Sequence, residues 1–460
     1  MVSSLQKKLA RLSNAGPGST PALRGQTPSD TLSAEQPAAP TARSARIAAL
    51  QKQLDRVVVT GRATTTRAKE PPSSSSDILA RLLRDAPALA TDEPDGVLPG
   101  EGEETPFGHV HYVRQWLEPA HCHGRAPVAA ALDAESELVA RLALDPTLKD
   151  LDLKRMLLID TETTGLSTGA GTIPFLVGIG FFEDQSLCVE QMLLLRRRDE
   201  PAMLRNLAER IAASSCLVSY NGKSFDWPLL RSRFVMNRVP TPPIPPHIDL
   251  LHCARRAFKR RLRSMRLVEM EKEILGMVRE HDVGGAEIPG IYLTFLRSGN
   301  PGRLDGVIEH NGHDLVALAS FLGEIVRRFK KVQREDDPLD HLSYALIAEK
   351  AGDRARATEF STAAAAGGGD DACSFDAFLL MARTARREKD FDAQERALLA
   401  ATKVGPDPRV HFELAKFYEH RRKDYVLARH FAERTAPLED NIEREKRLGR
   451  IERKRARTTS

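Results

Sequence analysis

The sequence has few cysteines, no long apolar run and no strong excess of charge of either sign. Its five cysteines are scattered over 460 residues and form no CxxC pair, which excludes a disulfide scaffold and an obvious zinc finger. The longest apolar run, Ile173 to Phe182, has ten residues, about half of what a membrane-spanning helix needs. The first residues contain no apolar signal region. We therefore expect a protein of the reducing cytoplasm with no membrane partner.

The charges are balanced in number but not in position. Sixty-eight basic and 63 acidic residues leave a net charge of +5. The run from Arg255 to Arg266 contains seven basic residues and no acidic one, and the tail from Asn441 to Ser460 contains eight basic and three acidic residues. Such clusters bind phosphate groups in some proteins and are solvated faces in others, so charge alone leaves both interpretations open.

The composition changes along the chain and divides it into four regions. Residues 1–104 are rich in Ser, Thr, Pro and Ala, which predicts a largely disordered region with a few short amphipathic helices. Strand and helix patterns over residues 105–335 predict an α/β domain on a sheet of mixed direction. Residues 337–436 contain three helix–turn–helix patterns, two of them offset by 34 residues, which predicts tetratricopeptide-like repeats. A basic tail, residues 437–460, follows.

Acidic residues stand at the ends of several predicted elements of the α/β region. Asp160 and Glu162 close an apolar strand and lie on the same face, as residues i and i+2 of a strand do. Asp226 begins a helix after the strand pattern CLVSYNG, and Asp314 lies on a later helix, four residues after His310. Four carboxylates from three segments predict a site for two divalent ions, Mg²⁺ or Mn²⁺, which would activate a water and stabilise a leaving oxygen.

Four histidines in the segment TPFGHVHYVRQWLEPAHCHG are also candidate metal ligands. Their H-x-H and H-C-H spacings lack the remaining ligands of a zinc motif, so we expect them at the surface or packed on a strand. They are His109, His111, His121 and His123.

Three motifs follow one another in the order D-x-E, N-x-x-x-F-D and H-x-x-x-D. This order resembles the DEDD (DnaQ-like) 3′–5′ exonuclease superfamily, whose members have the ribonuclease H-like fold. Within that superfamily, the segments DTETTGLSTGAGTIPFLVGIG, SYNGKSFDWPLL and HNGHDL resemble the YprB-like family. The resemblance covers about residues 105–435 and implies a ribonuclease H-like mixed sheet flanked by helices, followed by all-α tetratricopeptide-like repeats.

The resemblance also implies a role for the motif residues. The metal ligands would be Asp160, Glu162, Asp226 and Asp314. His310 would be the general base that takes a proton from the attacking water. The histidine subclass places its base five residues before the last aspartate and the tyrosine subclass four, so His310 stands at the tyrosine spacing. His313 is the alternative base.

Residues outside the carboxylate motifs are expected to contact the nucleic acid. The amide of the second motif would position the substrate, and the basic run would contact phosphates without sequence specificity. These candidates are Asn221, Arg255, Arg256, Lys259, Arg260, Arg261 and Arg263.

The expected function is that of a metal-dependent 3′–5′ exonuclease that releases 5′-mononucleotides. The resemblance favours DNA and a role in repair or processing, with RNA as the alternative substrate. A helicase or another protein partner would bind the tetratricopeptide-like region, and deletion of residues 337–460 is expected to leave hydrolysis intact. Two other classes stay open, a ribonuclease H-type endonuclease and a non-enzymatic adaptor that binds nucleic acid on a decayed nuclease fold.

Overall fold

The computed structural model describes residues 98–165, 171–368, 370–436, 438 and 440–459. The disorder expected for residues 1–104 therefore lies outside the described residues up to position 97. The end of that region departs from the expectation, because Glu101–Thr105 forms strand β1, which pairs with residues 108–112. The strand is short, acidic and contains a glycine, so it has no apolar alternation that the sequence would reveal. Acidic side chains on an edge strand discourage pairing with other chains.

A mixed sheet of seven strands is the centre of the part of the chain that the structure describes. The nine described strands, two of which lie outside this sheet, are β1, β2 Gly108–Leu117, β3 Cys122–His123, β4 Ala126–Pro127, β5 Met156–Thr163, β6 Pro174–Glu183, β7 Ser186–Leu193, β8 Cys216–Ser219 and β9 His247–Asp249. The sheet has the order β1-β2-β7-β6-β5-β8-β9, and β3 and β4 form a separate pair. β8 is parallel to both β5 and β9, whereas the other neighbours are antiparallel. The predicted mixed direction is confirmed.

Helices cover both faces of this sheet. They are α1 Ser136–Ala143, α2 Glu200–Ala213, α3 Asp226–Met236, α4 Leu250–Phe258, α5 Leu267–Met270, α6 Ile288–Ser298 and α7 Leu304–Lys330. A π-helical turn, Glu271–Leu275, extends α5. On β5, Met156 and Leu158 are buried in one apolar cluster, and Leu157 and Ile159 in another. Since side chains alternate along a strand, the two clusters lie on opposite faces, which the continuous apolar run predicts.

After α7, the described part of the chain contains helices joined by turns and no strand. Its helices are α8 Pro338–Lys350, α9 Arg354–Ala366, α10 Asp371–Glu388, α11 Phe391–Val404, α12 Pro408–Phe417, α13 Tyr425–Ala432 and α14 Asn441–Thr459. Each of the first six follows an aspartate whose side chain accepts a hydrogen bond from a backbone N–H of the first turn. The three helix–turn–helix pairs are thus present, and their tetratricopeptide-like character stays a prediction.

The residues predicted as a basic tail form α14, which contacts the preceding helices. Ile451 is fully buried, and the buried carboxylate of Glu419 accepts hydrogen bonds from Arg450 Nε at 2.7 Å and Lys454 Nζ at 2.8 Å. Part of the basic charge of α14 is therefore used to attach the helix to its neighbours.

The first helices of the C-terminal region share an apolar core with the sheet. Tyr344 of α8 and Phe360 of α9 belong to the same buried cluster as Leu158 of β5. Phe329, near the end of α7, stacks on Phe360 with ring centroids 6.1 Å apart. These residues join α8 and α9 to the α/β region through one continuous core. No described helix combines the length and the apolar composition that a membrane crossing requires.

Candidate metal centre

Two of the predicted ligands lie at the end of β5, the central strand. The apolar residues before them bury the strand, and Asp160 and Glu162 are the first carboxylates on one face at its C-terminal end. Asp160 is paired with Gly178 of β6, and Glu162 with Leu176. The register shifts directly after Glu162, so the strand leaves its neighbour at the residue that ends the motif.

The third predicted ligand, Asp226, is the first residue of α3 and is 6% exposed. Thr161 Oγ1 donates a hydrogen bond to Asp226 Oδ1 at 2.5 Å, which ties the start of α3 to β5. The loop before α3 turns at Asn221, whose φ is +72°, and Asp249 accepts hydrogen bonds from the backbone N–H groups of Asn221 and Lys223. Asp249 therefore fixes the loop that leads into Asp226 at the start of α3.

The fourth predicted ligand, Asp314, and its neighbours lie on α7, which crosses the sheet. Asn311 Nδ2 donates to Asp160 Oδ2 at 2.7 Å, and Gln191 Nε2 of β7 donates to Asn311 Oδ1 at 2.9 Å. Gly178 lies between the two strand residues in the sheet, and a Cβ atom there would be 2.1 Å from Asn311 Oδ1. The absence of a side chain at Gly178 is what lets α7 approach this closely.

His310 faces the same space as two of the carboxylates. Its Nε2 lies 3.8 Å from Glu162 Oε1 and 3.9 Å from Asp314 Oδ2, and the three ligand atoms lie within 4.8 Å of one another. Its Nδ1 is 2.7 Å from Asp282 Oδ1. His313, the alternative base, has Nε2 3.9 Å from Glu309 and its ring 6.3 Å from that of His123.

Behind these residues is an outer charged layer, which we define as Glu271, Arg279 and Asp282. Arg279 donates a hydrogen bond from Nη2 to Asp314 Oδ1 and from Nε to Glu271 Oε1, the latter at 3.0 Å. Glu271 Oε1 is also 2.6 Å from His123 Nε2. Arg279 and Glu271 are almost fully buried, so the guanidinium is the buried cation beside Asp314. His123 lies on β3, which agrees with the expectation of a histidine packed on a strand, and its buried side chain belongs to this environment.

The pKa values of the four predicted metal ligands are all raised in the folded protein. Burial, together with the charges of Asp314, Glu162 and Asp226, raises the pKa of Asp160 well above its usual range. Burial and the charges of Asp314 and Asp226 raise the pKa of Glu162 to about 8. The pKa of Asp226 is raised by burial to about 6, and burial also raises the pKa of Asp314. Asp160, Glu162, Asp226 and Asp314 thus share one electrostatic environment with an excess of negative charge.

This donor set fits divalent cations. Oxygen ligands suit Mg²⁺ and Mn²⁺, and a cation among these carboxylates would remove the repulsion and favour their ionised form. The four predicted ligands come from β5, α3 and α7, and each of Asp160, Asp226 and Asp314 has one oxygen engaged by a neighbouring side-chain donor. Such donors orient a carboxylate before an ion binds.

The basic run is divided between the surface and the protein interior. Arg261 is half-buried and pairs with Asp340 of α8, with Nη2 2.8 Å from Oδ2. Arg256 is partly buried. Asn221 has an exposed side chain on the loop before α3. The exposed members of the run are Arg255, Lys259, Arg260, Arg263 and, at its end, Arg266.

Sequence reasoning missed the residues that support the predicted ligands. Thr161 and Asn311 are inside the quoted motifs but had no assigned function, and nothing local marks Gln191. The outer charged layer has no sequence signature, because Glu271, Arg279 and Asp282 reach the motif residues only through the fold.

Residues 157–326 match the family model of the RNase_H superfamily. This segment begins on β5 before Asp160 and ends on α7 beyond Asp314, so it contains all four carboxylates. This part of the chain is therefore similar to the ribonuclease H-like proteins, and a fold of that kind fits a nucleic-acid-hydrolysing role.

The chain is also similar to a protein of known sequence. It is 29% identical over 386 residues to the uncharacterized protein YprB of Bacillus subtilis (strain 168), in a match that covers 77% of this chain and 92% of that relative. The predicted resemblance to the ribonuclease H-like proteins and to YprB is confirmed.

Proposed function

We propose that this protein is a metal-dependent nuclease that removes nucleotides from the 3′ end of a nucleic acid, with two Mg²⁺ or Mn²⁺ ions held by the four carboxylates. The observation that supports the proposal is the shared electrostatic environment of four carboxylates from three elements. Burial raises the pKa of Asp160, Glu162, Asp226 and Asp314, and the charges of neighbouring carboxylates in this set also raise the pKa of the first three. Buried carboxylates with this much mutual repulsion are typical of sites that bind divalent ions.

The chain's own residues prepare the site for hydrolysis of a phosphodiester. When bound, the ions would lower the pKa of an attacking water and neutralise the charge on the leaving oxygen. Asn311 fixes the orientation of Asp160, and Arg279 fixes that of Asp314. Because both donors are themselves held by other side chains, the ligands need little rearrangement when the substrate arrives.

The exposed part of the basic run would bind the nucleic-acid substrate. Arg255, Lys259, Arg260 and Arg263 would contact the phosphate backbone, which supports binding without sequence specificity and with a strong dependence on salt. Arg261 is left out of this set because Asp340 holds its guanidinium.

The finer parts of the proposal come from the family resemblance. They are the 3′–5′ direction, the preference for DNA over RNA, a role in repair or processing in the cytoplasm, and a helicase partner on the C-terminal helices. A ribonuclease H-type endonuclease and a nucleic-acid-binding adaptor are the alternatives that an experiment must separate.

The test compares wild type, Asp160→Asn and Asp305→Asn on DNA and RNA labelled at either end, with Mg²⁺ or Mn²⁺. Asp305 is exposed in the first turn of α7, so its variant removes one negative charge away from the site. We expect mononucleotides from the 3′ end with wild type and Asp305→Asn, and no product above the metal-free background with Asp160→Asn.

Circular single-stranded DNA and RNA complete the design. Cleavage of a circle would identify an endonuclease and overturn the exonuclease proposal. Binding of nucleic acid by the folded wild type with neither ion supporting cleavage of any substrate would favour the adaptor.

A further inference from the structure

His310 has the surroundings of a metal-binding histidine. We propose that His310 binds a metal ion through Nε2, together with Glu162 and Asp314, and that Asp282 is the carboxylate that positions its ring. The inference rests on the proposed function, because it concerns the same metal centre. It changes the role that the sequence resemblance gives to His310, from general base to ligand.

The position of His310 on α7 supports this role. His310 and Asp314 are four residues apart on a 27-residue helix, so both side chains project from one face. The distances from His310 Nε2 to Asp314 Oδ2 and Glu162 Oε1 are 3.9 and 3.8 Å. Two ligands of one ion with bonds of about 2.1 Å lie at most about 4.2 Å apart, so each of these pairs fits a shared ion.

The contact on the other ring nitrogen is the second observation. A metal-bound histidine almost always donates its other N–H to a carboxylate or a carbonyl, which fixes the ring and its tautomer. Asp282 Oδ1 lies 2.7 Å from His310 Nδ1, and Asp282 is itself 3.4 Å from Arg279 Nη1. With the Nδ1 proton donated to Asp282, the lone pair on Nε2 faces Glu162 and Asp314.

The two roles of His310 exclude each other at the same nitrogen. A lone pair that binds an ion does not accept the proton of a water. A site with one imidazole and two carboxylates also favours a first-row transition ion over Mg²⁺, which prefers oxygen ligands alone. The chemical class of the ion at this position is therefore a divalent transition ion, for which Mn²⁺ is the probe.

The direct test is electron paramagnetic resonance of Mn²⁺ bound to the full-length protein in the absence of nucleic acid. We expect a hyperfine coupling from a directly bound nitrogen in wild type, which changes when histidine is labelled with ¹⁵N. His310→Gln should remove the coupling, and His313→Gln should keep it. His313 is the matched control, because it lies on the same helix and faces Glu309.

The role of Asp282 is tested by the affinity of the ions, measured by calorimetry. Asp282→Asn should weaken Mn²⁺ binding about 10- to 100-fold, as expected when the carboxylate behind a metal-bound histidine is lost. The effect on Mg²⁺ should be smaller. Asp305→Asn should leave both affinities unchanged, which separates the loss of the contact from the loss of a charge.

The outcomes distinguish this inference from the function on which it rests. Bound Mn²⁺ without a nitrogen coupling, in a wild type that cleaves nucleic acid, would overturn the ligand role and leave the nuclease proposal in place. An unchanged coupling in His310→Gln would assign the nitrogen elsewhere and also overturn it. If the folded protein bound neither ion, the metal-dependent function itself would be wrong.

Discussion

The side-chain amide of Asn311 donates to Asp160 Oδ2 across 2.7 Å, although the two residues are 151 positions apart. The contact exists because the strand residue beside Asp160 is Gly178, over which α7 lies. One glycine on β6 thus decides whether the helix that carries His310 and Asp314 reaches the strand that carries Asp160.

Gly178→Ala should displace Asn311 and reduce the proposed nuclease activity. The new Cβ would lie 2.1 Å from Asn311 Oδ1, so the helix or the strand must move. We expect a loss of about 1–3 kcal/mol in the free energy of unfolding, the usual cost of overpacking, and a larger relative loss of activity. Urea unfolding and the 3′-end assay measure the two effects.

Gly312→Ala is the matched control, because its Cβ would meet only Gln191 at 3.9 Å. An alanine inside a helix should stabilise the protein by about 1 kcal/mol. Equal effects of the two substitutions would contradict the importance of close approach at Gly178.

Arg279→Met should leave Asp314 and Glu271 without their buried cation. Removing one partner of such a buried ion pair costs about 3–5 kcal/mol, and Arg303→Met, in an exposed pair with Glu287, should cost less than about 1 kcal/mol. Saturating Mn²⁺ should raise the Tm of Arg279→Met more than that of wild type, because the ion supplies positive charge next to Asp314. Equal metal-induced shifts would contradict this assignment of Arg279.

Phe360→Ala should destabilise the α/β region and not only the C-terminal helices. The ring is fully buried against Phe329 and Tyr344, so we expect a cost of about 3–5 kcal/mol in chemical denaturation. Val426→Ala, at a side chain that is 62% exposed, should change stability by less than about 0.5 kcal/mol.

The core shared by the α/β region and the C-terminal helices also predicts the effect of deleting residues 337–460. From the sequence we expect that hydrolysis survives this deletion. The deletion also removes Tyr344 and Phe360, however, and so exposes part of the apolar cluster that contains Leu158. We therefore expect the truncated protein to unfold at a lower temperature. Hydrogen exchange in β5 that is as slow as in the full chain would contradict this prediction.

The stability of the protein should depend on His247 below neutral pH. Burial lowers the pKa of His247 to about 4, from an ordinary value of 6.5. Between these values the unfolded chain binds the proton that the folded chain excludes, so folding is favoured above pH 6.5 and weakened as the pH falls towards 4. A difference of 2.5 pKa units corresponds to about 3 kcal/mol over the whole interval.

Urea unfolding of wild type and His247→Gln at pH 7.5 and pH 5 measures this contribution. The stability of wild type should fall relative to that of the variant by about 2 kcal/mol between these pH values. His121→Gln, at an exposed histidine, should show the same pH slope as wild type. Parallel slopes for His247→Gln and wild type would show that His247 is not buried in its neutral form.

The sequence predicts the elements whose physical cause is local. The apolar run before Asp160 is sufficient to identify β5, and the apolar periodicity from Leu304 is sufficient to identify α7. These two elements also carry three of the four motif carboxylates, Asp160, Glu162 and Asp314, so this part of the candidate metal centre follows from local patterns and the order of the motifs.

Other features depend on contacts between distant parts of the chain. Strand β9 has three residues and no periodicity, and it forms because β8 offers a parallel edge. The helical pattern after Asp249 predicts a helical region to about Glu280, but the helix is interrupted between Phe258 and Leu267 and ends at Gly276, where φ is +70°. The segment that follows is not helical and places Arg279 next to Asp314, a contact that no local sequence pattern predicts.

Helix α7 spans about 40 Å, since each of its 27 residues adds about 1.5 Å. His310 stands near its beginning, and Phe329 stands near its end, stacked between the helices that follow. The helix therefore has the candidate metal centre near one end and its contacts with the C-terminal helices near the other. We therefore expect that a molecule bound to α8 or α9 that tilts α7 at Phe329 would change the spacing between α7 and β5 near His310.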